Sequence, residues 1–125
     1  MIEQELQKKL AADPNGLMTY EYIANNIESV GADMTFLVKN IIDVDRTGQF
    51  VVSTARYLHA IDAVKYADCI DLLVKAAIIK DRDRAYLADL AASIWGKDYK
   101  ERAEQLVGED DNFRRVYKRL YPVGI

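Results

Sequence analysis

The sequence is poor in the residues that build covalent and metal-centred sites. It contains one cysteine, Cys69, and one histidine, His59. A single cysteine excludes a disulfide within the chain, and these two residues cannot complete a tetrahedral Cys/His zinc site in one chain. On one helix, the spacing from 59 to 69 would also prevent a Cys–His catalytic pair from facing each other. We therefore expect Cys69 to be a small buried side chain and His59 to lie at a helix end or on a partly solvated face.

Glycine and proline are also scarce, with six and two residues. The glycines lie too far apart to form a phosphate-binding glycine loop, and no Gly-x-Ser-x-Gly motif occurs. No uncharged apolar run approaches the roughly 18 residues of a membrane-spanning helix. The acidic, polar start of the chain is unlike a secretory signal. With the single cysteine, these absences predict a cytoplasmic protein.

What remains is an ordinary globular composition, half hydrophobic and 30% charged, over a length that fits one domain spanning 1–125. Apolar residues recur at helical spacing along most of the chain, and glycine or aspartate stands where helices should start or stop. We therefore predict an all-α fold, a compact orthogonal bundle of about seven to eight short helices. A motif around Trp95 and Gly96 resembles one tetratricopeptide helix pair, but no second copy lies about 34 residues away.

Capping residues set the predicted helix boundaries. The first helix covers 2–11, the second runs to about Val30, and Gly31 is expected in the left-handed conformation. Phe50 to Lys80 is too long for one helix in a domain of this size, so we place a break near 59–62. A β-prone run at Phe50–Thr54 leaves a short strand open as an alternative. The expected N-caps are Thr19, Asp33, Asp62, Asp81, Asp98 with Glu101, and Asp110 or Asp111; the last three helices end at Gly96, Gly108 and Pro122.

Residues 43–50 resemble the front half of an EF-hand calcium loop. That loop places side-chain oxygens at positions 1, 3 and 5, a glycine at 6 and a backbone carbonyl at 7. Position 12, where a glutamate grips the ion with two oxygens, is Thr54 here, so the resemblance implies weak binding. The alternative is an ordinary aspartate-rich turn between helices. The candidate calcium ligands are Asp43, Asp45, Thr47 and Gln49, with Gly48 at the turn.

The last predicted helix is amphipathic and basic. Residues 113–125 carry four basic residues and no acid, whereas the whole chain has a net charge of −3. One helix face is apolar and aromatic and the other is basic, so the helix could bind an acidic partner or a phosphate backbone. The alternative is that the apolar face packs on the bundle while the cations offset the helix dipole. The candidate partner-binding residues are Arg114, Arg115, Tyr117, Lys118, Arg119 and Tyr121.

These observations favour a helical protein that binds another protein and has no chemistry of its own. Apart from calcium, no cofactor is predicted. The acidic body argues against broad nucleic-acid binding, although the basic helix keeps nucleic acid as an alternative. Eight tyrosines make a homodimer conceivable, because tyrosine is enriched at interfaces. An enzyme with an unrecognised carboxylate site is a further alternative, and it requires a pocket lined by two or more acids.

Overall fold

Eight α-helices form where apolar residues recur at helical spacing. The computed structural model describes residues 2–122, and within them no strand occurs. Phe50–Thr54 is helical, and the predictions of an all-α fold and of seven to eight helices are confirmed. No helix in this described part combines the length and apolarity of a membrane crossing. The helices are α1 (Gln4–Ala11), α2 (Leu17–Asn25), α3 (Met34–Val44), α4 (Gln49–Asp62), α5 (Ala67–Lys80), α6 (Leu87–Trp95), α7 (Ala103–Glu109) and α8 (Asp111–Leu120), with a 3₁₀ turn at Gly31–Asp33 before α3.

Helices that lie two apart along the chain pack side by side. Helices α1, α3 and α5 form a first row, and α2, α4, α6 and α8 form a second row. Contacts of α3 with α2 and α4, and of α4 with α5, join the two rows, while α7 packs on α8. Buried apolar side chains of both rows make one continuous core that extends from Ile2 to Val116.

Three connections between consecutive helices share one design, which we call an aspartate turn. They are residues 13–16, 45–48 and 81–84, and each begins with an aspartate that is at most 4% exposed. Each carboxylate accepts a hydrogen bond from the backbone N–H of the sixth residue after it, inside the following helix. The N···O distances are 2.8 Å from Thr19 to Asp13, 2.8 Å from Val51 to Asp45, and 2.9 Å from Leu87 to Asp81.

The residues around these turns match in burial as well. Three helical turns before each aspartate lies a buried apolar residue, and the sixth residue after each aspartate is fully buried. The aspartates recur at intervals of 32 and 36 residues, which is a spacing typical of helical repeat arrays. The bundle therefore contains the same helix–aspartate turn–helix arrangement three times, and we call each one a repeat unit. The matching positions are Ile2, Met34 and Ile70 before the turns, and Thr19, Val51 and Leu87 after them.

Each aspartate turn packs against the next one through a glycine. Gly16 and Gly48 have φ angles of +101° and +89° and lie at the same position in their turns. A Cβ atom at Gly16 would lie 3.3 Å from the Cβ of Asp45, and one at Gly48 would lie 3.3 Å from the backbone nitrogen of Asp81. The same position in the third turn is Arg84, with φ +56°, the one non-glycine residue with positive φ among residues 2–122.

Several predicted boundaries near the first turn are wrong. Helix α2 starts at Leu17 and ends at Asn25, so Thr19 lies inside the helix and is not its N-cap. The carboxylate that binds the start of α2 belongs to Asp13, which accepts hydrogen bonds from the backbone N–H and the hydroxyl of Thr19. Gly31 begins the 3₁₀ turn and is not left-handed.

Later boundaries are partly confirmed. The break in the long apolar region falls at 63–66, so Tyr66 and not Asp62 takes the N-cap position of α5. Helix α7 begins at Ala103 and contains Gly108, so Arg102 and not Asp98 takes its N-cap position and Gly108 does not end it. Asp98 instead pairs with Arg102 at 3.2 Å. Three predictions are confirmed: Asp33 and Asp110 take the N-cap positions of α3 and α8, and α6 ends beside Gly96. Tyr86 and not Asp81 takes the N-cap position of α6, although the carboxylate of Asp81 accepts the N–H groups of Tyr86 and Leu87.

Candidate partner-binding groove

A groove of about 500 Å³ crosses the second row of helices. It takes residues from α2, α4 and α6, so three repeat units contribute to one surface. Among the described residues that line it, none is acidic. The lining combines hydroxyl groups, one guanidinium, one imidazole and two tyrosine rings: Tyr20, Ser53, Arg56, Tyr57, His59, Ala60 and Ser93.

Arg56 is the one guanidinium in the lining, and a neighbouring helix holds it in place. Its Nε donates a hydrogen bond of 2.7 Å to the hydroxyl oxygen of Ser93, which ties α4 to α6. Within residues 2–122, the two terminal amino groups of Arg56 have no hydrogen-bond partner. A guanidinium presented in this way can donate two parallel hydrogen bonds to a carboxylate or phosphate.

The two tyrosines give the groove a fixed aromatic wall. The rings of Tyr20 and Tyr57 meet edge to face, with centroids 6.3 Å apart and planes at 82°. Tyr20 also contacts Phe50 at 6.3 Å, and the hydroxyl of Tyr57 donates to the carbonyl oxygen of Ala24 at 3.4 Å. Such rigid amphipathic side chains supply contact area at little cost in conformational entropy.

His59 lies between this groove and a second cavity of about 240 Å³, which is lined by two acids, Asp71 and Asp110. Asp110 accepts hydrogen bonds from the indole N–H of Trp95 at 2.9 Å and from a backbone N–H of α8. Asp71 accepts from Lys75 at 2.7 Å and from Asn112 at 2.6 Å. The hydrogen bond from Lys75, followed by that from Asn112, outweighs burial and lowers the pKa of Asp71. Asp71 is therefore ionised at neutral pH. The cavity contains the two acids that the enzyme alternative requires, and that alternative stays a prediction.

The calcium candidates surround the second aspartate turn. Asp45 is 1% exposed, and four backbone N–H groups, two in the turn and two in the first turn of α4, donate to its two oxygens over 2.8 to 3.0 Å. Asp43 and Gln49 are exposed on α3 and α4, and Thr47 donates to Asp45 at 3.3 Å. Nowhere in the described chain do three or more His, Cys, Asp or Glu side chains lie together as a metal site would require. Calcium binding stays a prediction, and it would have to displace the donors that Asp45 already holds.

Most of the candidate residues on α8 have partners inside the protein. Arg119 donates to the backbone carbonyls of Ile78 and, at 2.9 Å, of Asp81, and so caps the end of α5. Arg114 pairs with Asp111 at 2.7 Å. Tyr117 stacks on Phe113 at 5.4 Å and contacts Tyr121 at 4.8 Å, so these rings pack on the bundle. Lys118 is exposed and Arg115 is half-buried, which leaves α8 a smaller basic face than its sequence suggests.

Sequence reasoning did not find the groove. Ser53, Arg56, Tyr57 and Ala60 share one face of α4 at helical spacing, and this stripe was the available signal. It gives no sign of Ser93, which comes from another helix and holds the guanidinium. Comparisons of the chain with protein-family models, curated proteins and solved structures find no match.

Proposed function

We propose that this protein binds an acidic segment of another protein in the groove across α2, α4 and α6, without chemistry of its own. The observation that carries the proposal is Arg56, which Ser93 holds at 2.7 Å in a groove without acidic lining residues. A partner carboxylate would take up the donors that the guanidinium leaves unused. Arginine and tyrosine are also the residue types that dominate the energetics of protein interfaces.

The repeat supports the same proposal at a larger scale. Stacked helical units expose corresponding helices along one side, and repeat proteins use such extended surfaces to bind partners. Here the second row supplies that surface, and the groove crosses three of its helices. An extended peptide could therefore contact several units at once, with its acidic residue at Arg56 and apolar side chains at Tyr20 and Tyr57.

The test is selection from a random peptide library displayed on phage, with the purified protein as the target. We expect the enriched peptides to carry Asp or Glu near an aromatic or apolar residue. Calorimetry with a synthetic copy of an enriched peptide should then show that Arg56→Gln weakens the peptide affinity by about tenfold or more. This is the loss expected for one charge-assisted hydrogen-bonding group.

Lys97→Gln is the matched control, because it removes the same charge from an exposed residue that does not line the groove. It should leave the peptide affinity within about twofold of the wild type, a difference under 0.5 kcal/mol. Circular dichroism must show that both variants melt like the wild type. The proposal is wrong if no peptide is enriched, or if the enriched peptides bind the Arg56→Gln variant as tightly as the wild type.

A further inference from the structure

The edge where the second and third aspartate turns meet carries a separate, small, basic cavity. Its volume is about 220 Å³, below the roughly 300–1,000 Å³ of pockets for drug-sized ligands. Two consecutive repeat units contribute to it, and none of its residues belongs to the groove. The cavity is lined by Arg46, Thr47, Lys80, Asp81, Arg82, Asp83, Ala85 and Tyr86.

The repeat itself brings the two arginines together. Arg46 and Arg82 each follow the buried aspartate of their turn directly, so they occupy the same position in two units. Gly48 allows the two turns to lie close together, because a Cβ atom at this position would lie 3.3 Å from the backbone nitrogen of Asp81 and 3.5 Å from the Cβ of Lys80. Stacking of the units therefore sets two guanidinium-bearing residues and one ammonium-bearing residue around one cavity.

The cations in this cavity outweigh the acids. Across residues 2–122, the side chains of Arg46, Lys80 and Arg82 have no ion-pair or hydrogen-bond partner. Asp81 is 1% exposed, and its oxygens accept three backbone N–H groups at the start of α6 over 2.8 to 2.9 Å. Asp83 is the one exposed acid of the lining. A fourth cation, Arg119, lies beside the cavity, since it donates to the carbonyl of Asp81 at 2.9 Å.

We propose that this cavity binds the phosphate group of a small soluble ligand. A phosphate carries close to two negative charges at neutral pH and several acceptor oxygens, which suits a cavity lined by three cations better than a single carboxylate does. Two arginines can each bind such an anion through two hydrogen bonds. The small volume selects an inorganic or monoester phosphate group and leaves the rest of a larger ligand outside the cavity.

Calorimetry and amide chemical shifts at constant ionic strength test the proposal, with inorganic phosphate and pyrophosphate as the probes. We expect saturable binding of pyrophosphate with a dissociation constant on the order of 1 mM. Combining Arg46→Gln with Arg82→Gln should weaken binding by at least about tenfold, and the shifted amides should lie at 45–48 and 81–86. Both arginines are exposed, so the double variant is expected to fold, and circular dichroism verifies this.

The control is the double variant Lys65→Gln with Lys97→Gln, which removes two charges from exposed residues that line neither the cavity nor the groove. It should bind pyrophosphate as the wild type does. Equal weakening by both double variants would mean general charge attraction and would overturn the proposal, as would an absence of saturable binding. Binding of a phosphoserine peptide without binding of either free anion would also overturn it, because the partner would then be a protein.

Discussion

At the scale of single residues, three buried aspartates hold the starts of the helices that follow them. A carboxylate out of contact with water is costly unless its lone pairs are occupied. Asp13, Asp45 and Asp81 meet this requirement without a cation, because backbone N–H groups at a helix start surround each carboxylate. The positive end of the helix dipole adds to the stabilisation of the charge.

Asp13 gives this arrangement a measurable pH dependence. Burial alone would raise its pKa, but hydrogen bonds from Thr19, Gly16 and Asn15 together outweigh burial and hold the pKa below its usual 3.8. Because the folded pKa lies below the unfolded one, the ionised carboxylate contributes its full stability above about pH 4. That contribution is lost as the pH falls through the folded pKa.

We therefore expect Asp13→Asn to lower the free energy of unfolding at neutral pH, and the difference from the wild type to shrink as the pH falls below about 4. Urea unfolding at a series of pH values measures it. Asp43→Asn, at an exposed aspartate on α3, is the baseline variant. A difference between Asp13→Asn and the wild type that stays constant from neutral to acid pH would contradict this account.

At the scale of elements, the second aspartate turn lies close to the third one. Gly48 combines a left-handed φ of +89° with a backbone atom of Asp81 3.3 Å from where a Cβ would lie. A side chain there meets two penalties, a strained backbone conformation of about 1–2 kcal/mol and a displaced neighbouring turn.

Gly48→Ala is expected to lower the free energy of unfolding by about 2 kcal/mol or more. Gly108→Ala is the matched control, since Gly108 lies inside α7 with nothing within 4 Å of an added Cβ. The control should raise the free energy of unfolding by roughly 0.5–1 kcal/mol, because alanine favours the helix. Chemical denaturation of both variants measures these changes, and equal midpoints for Gly48→Ala and the wild type would rule out the close packing of the turns.

Some helix boundaries could be predicted from the sequence, and others could not. Asp33, Gly96 and Asp110 were predicted correctly because their signals are local: a residue typical of an N-cap or a glycine at a helix end. Asp13 and Asp81 do not take N-cap positions, because each lies six residues before a backbone N–H that it binds. The turn at Asp45 to Gly48 resembles a calcium loop because both need an aspartate followed by a left-handed glycine.

The repeat was overlooked for a different reason. The three units share burial and not residue identity: Ile2, Met34 and Ile70 differ in type but are all buried, and Arg84 takes the position of Gly16 and Gly48. The groove is also a product of packing, because Arg56 and Ser93 meet only after α4 and α6 are side by side. The stripe on α4 is the one signal of the groove within a single helix, and it does not indicate Ser93.

At the scale of the whole molecule, the core links every unit. One cluster of buried side chains extends from Ile2 to Val116, and the two rows of helices contact each other. Long repeat arrays can unfold in stages, whereas short domains with one core unfold in a single step. We expect one cooperative transition.

Two spectroscopic signals that report on different parts of the structure test this cooperativity. Trp95, whose ring lies 5.1 Å from that of Phe113, reports on α6 and α8 through its fluorescence. Far-ultraviolet circular dichroism reports on all helices. The two urea unfolding curves should coincide in midpoint and slope. Two separated transitions would instead show that the N-terminal and C-terminal units unfold independently.

The left-handed Arg84 has a consequence for how such a chain could grow by duplication. Gly16 and Gly48 present the same face to the unit that follows them, so a copied unit placed between the second and third would meet the surfaces it needs on both sides. In the third turn no glycine stands at this position, because Arg84 carries a side chain there. The series of glycine contacts between turns therefore stops at the third unit, and α8 follows it with a different contact, the guanidinium of Arg119 on the end of α5.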